Sequence, residues 1–296
     1  MIKITFLGTS GSIPTRFRSL PSVGVEKEGE AFLFDCGEGA QRQAMLYSFN
    51  LAKIKAIFLT HTHCDHILGI AGLVRTLALN KRPYPLYIFV PKGSEKSVQA
   101  LLNFDKALIK YEIIVKGIGS GKVYDGGDFY VSAFRLNHLI PTLGFLFVEK
   151  DKVRFIKEKC NKLGIKGTMF KELLEKGSLA VGRKKIKLKD VTFTVKGKRF
   201  AYATDSRPTE STAKAAKEAD ILVHETSYSG NEIELAKERY HCTAVEAARI
   251  AKKANCKKLL LFHISARYRD PELLLKEAKQ IFKNSEIAKD GMSIVL

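Results

Sequence analysis

The stretch His61-Thr62-His63-Cys64-Asp65-His66 places three imidazoles and a carboxylate within six residues, directly after the apolar run Ala56-Ile57-Phe58-Leu59. Such groups are costly to bury unless they are paired or hold an ion. A loop at the end of a strand can turn them out of the core together. In an extended segment alternate residues share a face, so His61 and His63 point the same way, and Asp65 and His66 lie past the turn. Imidazole nitrogen and carboxylate oxygen are ligands that suit zinc and related divalent ions. The chain must therefore build a sheet with a polar rim, followed here by a helix over Leu68–Asn80.

The remaining apolar patterning fits that demand. Strands are expected at Ile2–Leu7, Val23–Glu26, Ala31–Asp35, Ala56–Thr60, Leu86–Val90, Phe129–Asn137, Gly144–Val148, Arg199–Thr204, Ile221–His224, Leu259–His263 and Met292–Leu296. The Asp125-Gly126-Gly127 turn makes Val123–Asp128 a hairpin into Phe129. Helices are expected at Glu38–Phe49, Glu95–Asn103, Thr209–Ala219, Thr243–Asn255 and Pro271–Phe282, and Thr243-x-x-Glu246 has capping-box form. Both halves mix strands with helices, which two sheets packed face to face with helices outside would satisfy. The expectation is a single α/β domain over residues 1–296, interrupted by an inserted arm at 149–190. That insert has 14 Lys and Arg against 6 Asp and Glu, no proline, frequent glycines and a short helix near Phe170–Lys176; the globular pattern resumes at Val191–Val195.

The formal net charge of +19 favours polyanionic partners; a lysine-rich surface adapted to heat is the competing reading of that number. No run of 18 apolar residues marks a membrane span. The first residues read as a strand, not a signal peptide, so the expected compartment is the cytoplasm. Five cysteines with no C-x-x-C pair argue against a disulfide framework or a four-thiolate zinc site.

The chain has seven histidines. Beyond the cluster, His138 ends Phe129–Asn137, His263 ends Leu259-Leu260-Leu261-Phe262, and Asp205 ends Phe200-Ala201-Tyr202-Ala203-Thr204. Taken singly, each of these histidines reads as a core or capping residue; their joint placement at strand ends points to one assembled site.

His-x-His-x-Asp-His followed by a distant His, Asp and His resembles the metallo-β-lactamase superfamily. Within it the chain resembles the tRNase Z family. The resemblance is carried over its whole length by Phe6-Leu7-Gly8-Thr9-Ser10-Gly11, Asp35-Cys36-Gly37-Glu38-Gly39, the His61–His66 motif, Ala203-Thr204-Asp205-Ser206-Arg207-Pro208, His224-Glu225-Thr226, His241-Cys242-Thr243 and His263-Ile264-Ser265-Ala266-Arg267-Tyr268. It implies a four-layered αβ/βα sandwich, a homodimer, and two zinc ions per subunit, with manganese as the alternative metal. His61, His63, His138 and Asp205 would bind one ion. Asp65, His66, Asp205 and His263 would bind the other.

The resemblance further implies an endoribonuclease that removes the 3′ trailer from precursor tRNA and leaves a 3′-hydroxyl, through attack of a hydroxide shared by two metals. Asp65 would orient the attacking oxygen and take its proton. His241 is the candidate proton donor to the leaving 3′ oxygen, although Cys242 stands where the family usually has Ser. Glu225 is a candidate to orient His241, or equally to satisfy local backbone donors; His224 divides evenly between a core hydrogen bond and a supporting role. The insert coincides with the family's tRNA-gripping exosite, with Lys184, Lys185 and Lys187 as phosphate contacts. Pro14-Thr15-Arg16-Phe17-Arg18 resembles an acceptor-end loop, so Arg16 and Arg18, with Arg267, complete the RNA-binding candidates. Other hydrolases using the same metal motif need neither the basic arm nor that loop.

Overall fold

The computed structural model describes residues 1–103, 108–182 and 184–296. It forms two compact units: Met1–Val148 with Lys198–Leu296, and Glu149–Gly197.

Strand alternation builds the larger unit. Ile2, Ile4 and Phe6 face one way from Ile2–Gly8 and Leu7 the other; Phe32 and Phe34 oppose Ala31 and Leu33; Phe200 and Tyr202 oppose Ala201 and Ala203. The aromatic sides of two seven-stranded sheets meet in a central core. There Phe58 and Phe145, from different sheets, have ring centroids 5.5 Å apart, and Phe34 and Tyr202 5.9 Å, distances at which offset and edge contacts add to plain burial. The small and aliphatic sides face outward, where helices cover them. Ala40–Leu46, Gly69–Leu79 and Glu95–Leu102 cover the first sheet; Glu210–Ala215, Ala244–Lys253 and Glu272–Ile281 cover the second. Ala201 and Ala203 share this outer cluster with Ala213, Ala244, Ala248 and Ala251, small side chains that leave room for close helix-on-sheet packing. These are the two face-to-face sheets with outer helices that the patterning predicts, and together they form the four-layered αβ/βα sandwich that the resemblance implies.

The first sheet runs Ser293–Val295, Ile2–Gly8, Ser22–Lys27, Glu30–Phe34, Ile54–Phe58, Leu86–Pro91, Ile113–Ile118; its last four strands are parallel. The second runs Ser285–Ile287, Leu259–Phe262, Ile221–Glu225, Arg199–Ala203, Leu143–Glu149, Phe129–Arg135, Gly121–Asp125, and its first four strands are parallel. Ile113–Ile118 and Ser285–Ile287 are strands that the sequence reading leaves unassigned. Parallel strands bring their carboxyl ends to a common rim, the usual place for a site in such sheets.

The smaller unit has its own core of Cys160, Ile165, Leu173, Leu179, Ile186 and Val191. It holds two short helices, Lys157–Lys162 and Met169–Lys176, and two hairpin-like sheets. One of these pairs Lys152–Phe155 with Thr192–Val195, which corrects the expectation that the globular pattern resumes at Val191. Thr192–Val195 is as alternating as any strand of the main sheets, and nothing local reveals that its partner lies 40 residues upstream within the insert. In the other sheet, Ile186 fills the small core while alternation turns Lys185 and Lys187 to the opposite, exposed face; Lys184 is exposed as well.

Candidate metal centre

The loop after Ile54–Phe58 and the short helix Cys64–Ile67 carry His61, His63, Asp65 and His66. His138 arrives after Phe129–Arg135, Asp205 after Arg199–Ala203, and His263 after Leu259–Phe262. All seven side chains converge. His61, His63, His138 and Asp205 offer ligand atoms within 4.8 Å of one another, and so do Asp65, His66, Asp205 and His263. His61 Nε2 lies 2.9 Å from His63 Nδ1, which lies 3.3 Å from His138 Nε2. Asp205 Oδ1 sits 3.3 Å from His66 Nε2 and 3.1 Å from His263 Nε2, with its other oxygen 3.7 Å from His61 Nε2.

The surroundings decide which nitrogens are bare. Tautomers follow from the partner on the far side of each ring. His138 Nδ1 donates to the Tyr240 carbonyl at 3.0 Å, and His66 Nδ1 to Asp35 Oδ2 at 2.8 Å. His61 Nδ1 meets Thr60 Oγ1 at 3.0 Å, a hydroxyl that itself donates to Asp35. His263 Nδ1 meets Ser227 Oγ at 3.0 Å, a hydroxyl that donates to Glu225 Oε2 at 2.8 Å. In all four rings Nδ1 carries a proton, so Nε2 is the nitrogen turned into the cluster, beside the Asp65 and Asp205 carboxylates. Nitrogen and carboxylate acceptors gathered this closely repel unless protons or a cation lie between them. His66 Nε2 is moreover buried without a hydrogen-bond partner.

Charge gives the same answer. Among the described residues, the ion-pair partners of Asp35, Asp65 and Asp205 are all imidazoles. Burial alone would raise the Asp205 pKa, but His263 and His66 hold it well below the carboxylate range. Burial and the neighbouring His66 push His61 well down, which keeps it neutral. Burial lowers His63 and His138 as well, whereas for His66 burial is outweighed by the carboxylates of Asp205, Asp35 and Asp65, which raise the ring well above the ordinary imidazole value. Imidazoles beside ionised carboxylates, in two overlapping sets, suit a pair of divalent cations.

Three features of this site lie outside the sequence-predicted residues. Asp35, wholly buried, accepts from Thr60 N–H at 2.8 Å, His66 Nδ1–H and Tyr202 Oη–H at 2.9 Å. Its place after Glu30–Phe34, at the same rim as the His cluster, was the available signal. Ser227 bridges His263 to Glu225. Ser12 N–H donates to Asp65 Oδ2 at 2.9 Å. Two glycines are fixed by close approach: a Cβ on Gly11 would lie 2.6 Å from the His263 ring, and one on Gly37 would lie 2.5 Å from the Asp65 carbonyl.

Beside the cluster, His241 Nδ1 lies 3.0 Å from Glu225 Oε1, and its ring centroid is 5.2 Å from that of His138 and 5.6 Å from that of His263. Glu225 is buried and also accepts from Ser206 N–H and Ser227 Oγ–H. Burial alone would lower the His241 pKa; Glu225 outweighs it and lifts the ring to about 9. Arg207 fixes the His241 backbone by donating to its carbonyl while pairing with Glu246, and Glu246 closes the capping box with Thr243. His224 stays apart from the cluster, its Nδ1 on the Glu225 carbonyl and its Nε2 buried without a partner. Cys242 is buried, which pushes its thiol pKa well up, while Cys64 is exposed.

The arginine candidates separate. Arg16 is exposed, and among the described residues it makes no ion pair. Arg18 is turned inward: its Nη1 donates to Thr9 Oγ1 and to the Ala288 carbonyl, both at 2.7 Å. Arg267 pairs with Glu232 at 2.8 Å and lies over the Tyr228 ring. Neither Arg18 nor Arg267 therefore presents an uncommitted guanidinium.

Sandwich and site together define a metal-dependent hydrolase of the metallo-β-lactamase superfamily, and family models agree: "Metallo-beta-lactamase superfamily" matches residues 21–145 and "Beta-lactamase superfamily domain" residues 161–264. The Ribonuclease Z of Methanosarcina acetivorans is 38% identical over 99% of this chain and 98% of its own length. That of Archaeoglobus fulgidus is 39% identical, over 99% and 97%. The crystal structure of human tRNase Z, short form, superposes with a TM-score of 0.74 at 27% identity, covering 99% of this chain and 98% of the human one. At that similarity, over essentially its full length, the chain belongs to the ribonuclease Z family of metal-dependent endoribonucleases.

Proposed function

We propose that this enzyme removes the 3′ trailer of precursor tRNA with two zinc ions per subunit, leaving a 3′-hydroxyl on the tRNA, and that it works as a cytoplasmic homodimer. The observation that carries the chemistry is the Glu225–His241 pair, 3.0 Å long, beside the two overlapping ligand sets. A 3′ alkoxide is a poor leaving group and must be protonated as it departs, and an imidazole held at one nitrogen by a buried carboxylate is suited to that.

In this reading His61, His63, His138 and Asp205 would hold one ion, and Asp65, His66, Asp205 and His263 would hold the other. When bound, such a pair supplies Lewis acidity that activates water at neutral pH and offsets charge growing on the phosphoryl oxygens. Asp65, kept in place by Ser12 N–H, orients the attacking water and takes its proton. His241 gives the proton on Nε2 to the leaving 3′ oxygen, while Glu225 at Nδ1 fixes the ring and favours the imidazolium beforehand. Asp35, Thr60, Ser227 and the Tyr240 carbonyl hold the ligand imidazoles in the required tautomers.

RNA contacts follow from exposure and charge. The 149–190 segment acts as the exosite arm, with the exposed Lys184, Lys185 and Lys187 meeting phosphates. Arg16 meets the acceptor end. Arg18 and Arg267 are reassigned: the first anchors the 14–18 loop and the second braces Tyr228, so both shape the surface without meeting phosphate directly.

The test is cleavage of an end-labelled, 3′-extended precursor tRNA by the metal-loaded protein, beside an Asp65→Ala control and bis-p-nitrophenyl phosphate. The expected product ends next to the discriminator base with a 3′-hydroxyl and is absent in the control. Hydrolysis of the small diester alone would leave the metal site standing and remove the tRNA assignment.

A further inference from the structure

A phosphodiester strand crossing the metal cluster must leave it in two directions. The Asp65–His263 end is bordered by the segment that carries Ser12 and runs on to Arg16, with Gly11 packed on the His263 ring. At the His138 end the surface opens into a cleft of ≈ 480 Å³ lined by Lys92, Ser120, Arg135, His138, Leu139 and Pro141, among others. Its volume has room for about one nucleotide. One wall is apolar, with Leu139 61% exposed, and the rim carries two cations. Among the described residues neither the Lys92 ammonium nor the Arg135 guanidinium has an ion-pair partner, in contrast to Arg207 and Arg267. The cleft continues into a second of ≈ 520 Å³ that shares Ile118, Gly119 and Ser120 and adds Lys116 and Lys122.

We infer that this cleft is the trailer subsite: it receives the first nucleotide 3′ of the scissile phosphate, and its neighbour receives the next. The assignment rests on the tRNA reading above, in which Arg16 takes the acceptor end; the trailer is then left the opposite end of the cluster. The chemistry fits single-stranded RNA. An exposed apolar face accepts any base by contact with its flat surface, and Lys92 and Arg135 meet the flanking phosphates, while Lys122 beyond them is already paired with Asp125.

The experiment uses metal-loaded protein and precursor tRNA with a non-hydrolysable linkage at the cleavage position, either ending there or extended by four nucleotides. Binding is measured against salt for the unaltered protein and for the Lys92→Ala/Arg135→Ala double variant, with thermal unfolding as the fold check. The unaltered protein should bind the extended RNA more tightly, and the double variant should lose that advantage. Its salt slope for the extended RNA should fall by about 1.4, the value for two phosphate contacts on a single strand, with no such fall for the unextended RNA. A 4-thiouridine at the first trailer position should crosslink within 135–143. Crosslinks within 12–18, or equal weakening of both RNAs in the variant, overturn the subsite while leaving tRNA processing intact. Failure of the unaltered protein to bind either RNA overturns the tRNA reading, and the subsite with it.

Discussion

Replacing Asp35 by Asn isolates the part played by a residue that touches no ion in the proposed arrangement. Asp35 only accepts: Oδ1 takes the Thr60 N–H, and Oδ2 takes His66 Nδ1–H at 2.8 Å and Tyr202 Oη–H at 2.9 Å. An amide of the same shape keeps one acceptor and gains two donors. If Nδ2 faces Thr60, it opposes an N–H donor in a wholly buried place. If it faces His66, that ring relieves the clash by shifting its proton to Nε2, which removes the inward lone pair. Either outcome weakens the second ion site. Losing an outer partner of a metal-bound histidine lowers affinity roughly 10–100-fold, or about 1.4–2.7 kcal/mol. Folding stability should also fall by about 1–3 kcal/mol from the orphaned buried donors. Zinc competition against a chromophoric chelator, with metal content by mass spectrometry, reads the affinity. The sharp expectation is asymmetry: the weaker ion is lost or loosened and the tighter one is held. Two ions bound within threefold of the unaltered affinity would refute the tautomer argument.

His241→Ala should lower kcat on precursor tRNA by about 10²–10⁴ with little change in KM, yet affect bis-p-nitrophenyl phosphate far less, because p-nitrophenolate departs without a proton; equal losses on both substrates would contradict a proton-donor role. Gly11→Ala should force the His263 ring aside, since the new Cβ would lie 2.6 Å from it; destabilisation of about 1–3 kcal/mol in urea unfolding is expected, together with weaker metal binding. Asp220 offers a pH test away from the site. Burial raises its pKa, but Lys257 at 2.7 Å and the Arg199 N–H outweigh that and lower it. A depressed folded pKa gives stability that is present above the unfolded value, about 3.9, and lost as pH falls through the folded one. Asp220→Asn should therefore lower the urea midpoint at pH 7, and the gap to the unaltered protein should close below about pH 4; a gap that persists there would assign the effect to packing.

The seven metal-ligand candidates were legible as a group because four sit in one polar motif after an apolar strand and the other three lie just past the ends of strands that the sheets bring to one rim. The Glu225–His241 pair was legible only through family resemblance, since nothing in residues 224–241 announces a contact across 16 positions. Asp35 shows the limit of reading side chains by type: a lone aspartate after a strand looks like any turn residue until Thr60, His66 and Tyr202 are seen around it. Arg16 and Arg18 show the same limit for charge. Two residues apart in one loop, they are indistinguishable by composition, yet one faces solvent and the other ties the loop to the Ala288 carbonyl. The insert was legible as a charge excess, but its closing strand, Thr192–Val195, was not, because β-pairing with Lys152–Phe155 is set by a partner distant in sequence.

The backbone at the rim carries a related argument. Asp35, Asp205 and His263 have φ of 58°, 30° and 55°, in the left-handed region that L residues seldom occupy. Each follows a parallel strand, or lies two residues beyond one, where the chain must turn sharply if the next side chain is to enter the cluster. Glycine would relax each turn but could supply neither a ligand nor an acceptor. The strain persists because the cluster over-determines it: Asp35 is held by three residues, and His263 by Ser227 behind it and by the carboxylates of Asp65 and Asp205 in front. The fold and the site are thus coupled through these turns. A cation that draws the imidazoles and carboxylates together also stabilises the three conformations that bring the strand ends into position, so metal binding and rim rigidity should rise and fall together.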